Sequence, residues 1–286
     1  AILDDVDRLI VPGLTHWNHP SFHAYFAITG SAPGILGEMM AAAMNVNAMV
    51  WRSSPAATEL EEHTLSWLAR LLGLPETFFG TINDTASHST LYALAAAREV
   101  CAPEARQSGL SRAPALRVYA SEEAHSSVAK AVVTLGLGRD GLCSVPTDDR
   151  LQMDPGALAE AIARDRARGI RPMAVVATLG TTSTTSVDPL PALLPVIREE
   201  GLWLHVDAAY GGPLAMLPEL SDLFAGWEAA DSIVVNPHKW LFTPVDCSVL
   251  YCRRPDDLRA AFALTPEYLR TTEGEAATNL MDYGVA

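Results

Sequence analysis

The sequence predicts an α/β protein, a mainly parallel sheet covered by helices, and three observations predict it. Short, predominantly apolar runs recur at Leu116–Ala120, Met173–Thr178, Trp203–Val206, Ser232–Val235 and Val249–Cys252. Strands that read as continuous apolar runs, rather than alternating ones, are buried on both faces, as parallel strands are. Between the runs lie segments of helical length with one apolar stripe, Ala157–Arg168 being the clearest, and strands alternating with helices imply a parallel sheet. Finally, 49% of the 286 residues are apolar, which suits a large buried core.

The elements follow in order. Residues 1–34 are rich in Pro, His and aromatics and read as irregular, closing on a turn at Ala32-Pro33-Gly34. Ile35–Asn47 has helical length and a mixed apolar pattern. Ser54-Pro55 breaks the chain, and Thr58–Glu62 opens an amphipathic helix through Leu65, Leu68, Leu71 and Leu72. Gly73 and Pro75 end it, as a C-terminal glycine and a following proline do. From residue 80 strands and helices alternate: helices at Ser87–Glu99, Ser126–Gly136, Ala157–Arg168 and Leu190–Glu199 lie before and between the first three of the five apolar runs.

Composition excludes several classes. Asp+Glu number 34 against 20 Lys+Arg, a formal charge of −14 with no Lys-rich run, so nucleic acid is not expected as a partner. No apolar run reaches the roughly 18–20 residues of a membrane span. The four cysteines, Cys101, Cys143, Cys247 and Cys252, show no CxxC spacing and read as free thiols, which favours the cytoplasm. Only two of the 20 basic residues are lysines, Lys130 and Lys239. A reaction that needs a primary amine therefore has two candidates.

Open α/β sheets bind ligands beyond the carboxyl ends of their strands. After Trp203–Val206 comes Asp207-Ala208-Ala209-Tyr210, and after Ser232–Val235 comes Asn236-Pro237-His238-Lys239-Trp240. Each alone reads as structural, a surface ion pair and a Pro turn. Together they put a carboxylate and an amine at adjacent strand ends. That set suits pyridoxal 5'-phosphate, whose aldehyde bonds to a lysine, whose ring nitrogen wants an acidic partner and whose phosphate wants backbone N–H groups. Thr85-Ala86-Ser87 precedes an alanine-rich helix, where free amides and the helix dipole favour an anion. His125 follows Leu116–Ala120 and Thr182 follows Met173–Thr178; either side chain could reach a ring bound there. A metal centre built from His125, His205, His238 and Asp207 is the competing reading, since His205 and Asp207 share one strand face. No HExxH motif accompanies it, and no GxSxG elbow supports a serine hydrolase.

The motifs Asn236-Pro237-His238-Lys239-Trp240, His205-Val206-Asp207-Ala208-Ala209-Tyr210 and Ala124-His125-Ser126-Ser127 resemble those of the pyridoxal-phosphate-dependent amino acid decarboxylases, the group that contains aromatic-L-amino-acid decarboxylase. The similarity runs from about Thr15-His16-Trp17 to the C-terminus, through Ser53–Glu59 and Ala177–Thr182. The resemblance implies the large domain of an aspartate-aminotransferase-type fold. It makes Lys239 the Schiff-base lysine, Asp207 the partner of the ring nitrogen and His125 the residue stacked on the ring. Ala86, Ser87, Asn236 and His238 would hold the phosphate, Thr182 and Ala209 would touch the ring and its substituents, and Trp17 and Tyr25 would line the substrate pocket. Tyr268 matches the family's mobile-loop tyrosine, associated with returning a proton to Cα; related aldehyde synthases carry Phe there.

The organisation implied is an N-terminal part, 1–79, contributing to the pocket and a dimer interface, a cofactor-binding domain, 80–270, and a loop opening a truncated C-terminal region, 271–286. Three departures from the family stand out: Ala27-Ile28, the pair Asn47 and Met49, and a chain that stops where the family continues. The expected activity is decarboxylation of an L-amino acid, an aromatic one, by a cytoplasmic homodimer. The alternatives are an acidic substrate such as glutamate or cysteine sulfinate, with Arg52 the nearest basic candidate, or a fragment that binds cofactor without turnover.

Overall fold

The computed structural model describes residues 1–26, 28, 30–264 and 278–285. Seven strands form one sheet: β1 (Phe79–Asn83), β2 (Leu116–Ser121), β3 (Leu142–Val145), β4 (Arg171–Thr178), β5 (Trp203–Asp207), β6 (Ser232–Val235) and β7 (Ser248–Cys252). Their order is β1-β7-β6-β5-β4-β2-β3. Strands β2 to β6 run parallel, whereas β7 is antiparallel to β6 and to β1. The mainly parallel, helix-covered sheet of the sequence reading is therefore present, with an antiparallel edge added.

Ten α-helices accompany it among the described residues: α1 (Ile2–Asp5), α2 (Ala32–Met44), α3 (Pro55–Leu71), α4 (Ala86–Cys101), α5 (Ala105–Ser108), α6 (Ser127–Thr134), α7 (Pro155–Ala167), α8 (Leu190–Glu199), α9 (Pro237–Trp240) and α10 (Pro255–Phe262). Two apolar clusters sandwich the sheet. Helices α4, α6 and α10 pack on Val118, Ala120, Ala174, Val176 and Leu250. Helices α3, α7 and α8 pack on Tyr119, Val175, Ala177, Leu204, Val206 and Ile233. The alternation of these residues along β2, β4 and β5 is the period-two pattern of a strand covered on both sides.

Three expectations change. Ala32-Pro33-Gly34 is the first turn of α2 rather than a turn before it. Ser31 stands outside the helix with an extended backbone and accepts the Gly34 amide at 3.2 Å, and proline is tolerated in a first turn because its missing N–H has no partner there. Helix α3 likewise opens on Pro55, three residues earlier than Thr58. Residues 2–13, expected to be irregular, form short helical turns with no buried residue. The positive φ of Gly73, +71°, ends α3 as expected. Among the described residues no helix is long and apolar enough to cross a membrane, and the four cysteines are free thiols.

Candidate active site

Both halves of the predicted charge pair stand at the carboxyl end of the sheet. Asp207 closes β5, is 6% exposed and lies in register with Thr178 of β4 and Val234 of β6. One of its oxygens, Oδ1, accepts the Ala209 amide at 3.1 Å. Ala209 in turn takes the Asn236 amide on its carbonyl at 3.2 Å, so the loop after β6 is tied to the loop after β5. Lys239 sits in α9, one short turn beyond that tie. Burial pushes its ammonium below the usual lysine range, and the Asp207 carboxylate opposes the shift. An amine in that condition gives up its proton more readily and is the better nucleophile.

Aromatic rings wall the amine in. The Lys239 Nζ lies 4.6 Å from the Phe26 ring centroid and 6.0 Å from that of Tyr210. Phe26 and Tyr210 are themselves 4.6 Å apart, and the Trp240 indole donates to the Tyr210 carbonyl at 2.7 Å. Phe26 was not among the residues expected from sequence. Its neighbour Tyr25 was, but the Tyr25 ring is 86% exposed and stacks on Trp17 at 5.4 Å. The structure thus sets Trp17 and Tyr25 together and gives the place beside Lys239 to Phe26. Nothing in the sequence spacing signals that approach, which joins positions more than two hundred residues apart.

The histidines divide. His125 feels both Asp207 and Lys239; burial lowers its pKa, Asp207 opposes, and Lys239 and Lys130 add to the lowering. Its Nδ1 accepts the Ser127 amide at 3.2 Å, which leaves the proton of a neutral ring on Nε2. His238 is also held below its usual value, first by burial and then by Lys239, with Asp246 opposing. Its Nδ1 accepts the Cys247 amide at 2.9 Å, and its Nε2 meets the Asn236 side-chain amide at 3.3 Å. His205 is fully buried, between Ser232 at 2.9 Å and Thr90 at 3.4 Å, and burial drives its pKa down to about 4. It is a packed strand residue. Among the described residues no group of three or more His, Cys, Asp and Glu side chains is placed to hold a metal ion.

Helix α4 supplies the third corner. Thr90 reaches His205 of β5, and Ser89 meets Ser248 of β7 at 3.0 Å, so the start of the helix is stitched to β5, the strand that carries Asp207, and to β7, the strand that follows Lys239 in the chain. The N-cap residue Thr85 makes no side-chain capping bond. The Ala86 and Ser87 amides have no acceptor among the described residues, and unpaired N–H groups at a helix start suit an anion. Thr182 is exposed in a loop closed by the bridge between Leu179 and Val187. Tyr268 and Ala27 lie outside the described residues. Lys130 is exposed on α6, with no carboxylate paired to it among the described residues.

These residues fit pyridoxal phosphate on the structure's own terms. A deprotonation-prone amine, a carboxylate with one oxygen uncommitted, unpaired helix amides and a buried, unpartnered Asn236 Oδ1 converge on one end of one sheet. The class defined is an α/β protein built to hold an aldehyde-bearing, phosphorylated pyridine. Comparison with known proteins agrees. The pyridoxal-dependent decarboxylase conserved domain matches residues 1–286. Aromatic-L-amino-acid decarboxylase of Bos taurus is 43% identical over 298 residues, covering 99% of this chain and 60% of that protein. Histidine decarboxylase of Mus musculus is 40% identical over 307 residues, covering 100% of this chain and 45% of that one. The crystal structure of Oryza sativa TDC with PLP and tryptamine superposes with a TM-score of 0.95 at 38% identity, covering 99% of this chain and 60% of that one. The chain belongs to the pyridoxal-dependent decarboxylase family, has its aminotransferase-like fold, and spans 45–60% of the length of these relatives.

Proposed function

We propose that the protein to which this chain belongs removes the α-carboxyl group of an L-amino acid with a planar aromatic side chain, releasing the amine and CO2. The observation that carries this reading is Lys239, a partly buried amine within electrostatic reach of the Asp207 carboxylate and walled by Phe26 and Tyr210. Bound pyridoxal phosphate supplies the electron sink for the pair left on Cα as CO2 departs. Lys239 would hold the cofactor's aldehyde through its amine. Asp207 holds a proton on the ring nitrogen, because an adjacent anion favours the charged form. His125, its pKa lowered chiefly by burial, would cover the ring. The amides of Ala86 and Ser87, with Asn236 and His238, hold the phosphate, while Thr182 and Ala209 flank the ring. Phe26, Tyr210 and Trp240 exclude water from the reacting amine, which strengthens the electrostatics around it. Tyr268 is assigned the return of the proton to Cα, and Trp17 and Tyr25 the substrate side of the pocket.

The relatives named above, for aromatic amino acids and histidine, support a planar side chain over an acidic one. Arg52, the basic residue an acidic substrate would call for, lies exposed in the turn Trp51–Ser53. A homodimer is part of the reading. None of the 13 residues of α2 is buried, and Ile35, Leu36, Met39, Met40 and Met44 are 57–64% exposed. An apolar helix left so open marks a protein interface. Amine and CO2 production by the full-length protein from tryptophan, tyrosine, dihydroxyphenylalanine, phenylalanine, glutamate and cysteine sulfinate tests the proposal. Turnover of the aromatic group is expected; turnover confined to the two acids overturns it.

A further inference from the structure

Thr178, the last residue of β4, is 3% exposed, and its hydroxyl oxygen is buried with no hydrogen-bond partner among the described residues. A buried hydroxyl left unpaired costs free energy, and native structures rarely tolerate one without a reason. The main chain of Thr178 has no freedom to explain it. Its N–H donates to Asp188 Oδ2 at 2.7 Å and its carbonyl accepts the Asp188 amide at 2.9 Å. The position of the side chain is informative. Thr178 and Asp207 are in register on neighbouring parallel strands, so both project from the face covered by α4 and α6, about 5 Å apart, the spacing of adjacent strands. Asp207 has filled one oxygen with the Ala209 amide and retains acceptor capacity, since a carboxylate offers about four lone-pair sites.

We propose that Thr178 is a positioning residue for the cofactor, its hydroxyl donating to the Asp207 carboxylate and fixing the plane in which that carboxylate meets the ring nitrogen. The proposal rests on the cofactor site described above. It gives the unpaired hydroxyl a partner that is formed when the carboxylate is drawn to the ring, so the cost of the unpaired group is relieved on binding. A threonine that merely packs has no such linkage.

The test uses Thr178→Val, which keeps the shape and removes the hydroxyl, and Thr178→Ser, which keeps the hydroxyl, in the full-length protein. Cofactor-free protein is melted thermally, and pyridoxal phosphate is titrated by absorbance across pH. The valine variant is expected to melt at or above the wild-type temperature when cofactor-free, yet to bind about tenfold more weakly, a loss of about 1.4 kcal/mol, with a shifted pH titration of the absorption band. The serine variant is expected to regain wild-type affinity. Wild-type affinity and an unchanged spectrum in the valine variant overturn the role of Thr178 while leaving the cofactor site standing. So does weakened binding that serine fails to restore. Wild-type protein that binds no pyridoxal phosphate overturns the site itself, and this inference with it.

Discussion

Asp188 offers a pH-dependent measure of how the site's floor is held. The residue is 1% exposed. Its two oxygens accept the Met153 and Thr178 amides, each at 2.7 Å, so one carboxylate clamps the end of β4 to the segment entering α7. Burial pushes its pKa from 3.8 to about 6, against the opposing pull of the two amides. Because the folded-state value is the higher one, the folded chain binds this proton more tightly than the unfolded chain. The stability it confers is complete below the unfolded value of 3.8 and is lost as pH rises through about 6. Applied to these two values, linkage gives a gain of about 1 kcal/mol for the folded chain on going from pH 7 to pH 5. Asp188→Asn removes the titration. It also leaves one clamped amide facing an NH2 group, a pH-independent cost of about 1–3 kcal/mol. Urea unfolding of cofactor-free wild type and variant at both pH values is the assay. The wild type should gain on the variant by about 1 kcal/mol at the lower pH. A difference that stays constant, or shrinks as pH falls, refutes the reasoning that burial controls this group.

The remaining predictions concern the site and the exposed helix. Asp207→Asn removes the carboxylate that opposes the burial shift of Lys239, so the pH profile for modification of Lys239 by an amine reagent should move to lower pH. The same variant should bind pyridoxal phosphate about 10- to 150-fold more weakly, the worth of one hydrogen bond to a charged group, about 1.5–3 kcal/mol; unchanged affinity would count against the ring-nitrogen pairing. Phe26→Ala opens the wall 4.6 Å from Nζ and should return the Lys239 modification profile toward ordinary lysine, readable by mass spectrometry. Met39→Glu with Met40→Glu on α2, where both are more than 60% exposed, should convert a dimer to a monomer in sedimentation without loss of helical circular dichroism. A sedimentation profile unchanged from wild type would remove α2 from the interface.

The legible parts of this chain were those whose chemistry is local. β4, β5, β6 and β7 announce themselves because a strand covered on both faces must be apolar throughout, and the helices between them carry an unambiguous stripe. β1 and β3 do not. β1 pairs on one side only and is half-buried, with Gly80 as its second residue, and β3 is a four-residue edge strand with Ser144 exposed. Edge strands need no continuous apolar run, so their signal is weak. Asp207 and Lys239 were legible because charge at the end of an apolar strand is costly without purpose. Phe26 was not, since its approach to Lys239 depends on how residues before α2 fold back over the sheet. Thr178 was hidden differently, because a β-branched residue closing an apolar strand looks the same whether it packs or serves a site. Asp188 reads as an ordinary loop acid until its two amide partners are seen.

The most direct test of the account exploits the scarcity of lysine in the chain, which has Lys130 and Lys239 alone. Full-length protein is incubated with pyridoxal phosphate, reduced with borohydride, digested and mapped by mass spectrometry. Of these two amines, Lys239, at the end of the sheet that carries Asp207, is expected to bear the cofactor's mass. Label on Lys130 with none on Lys239 would contradict it.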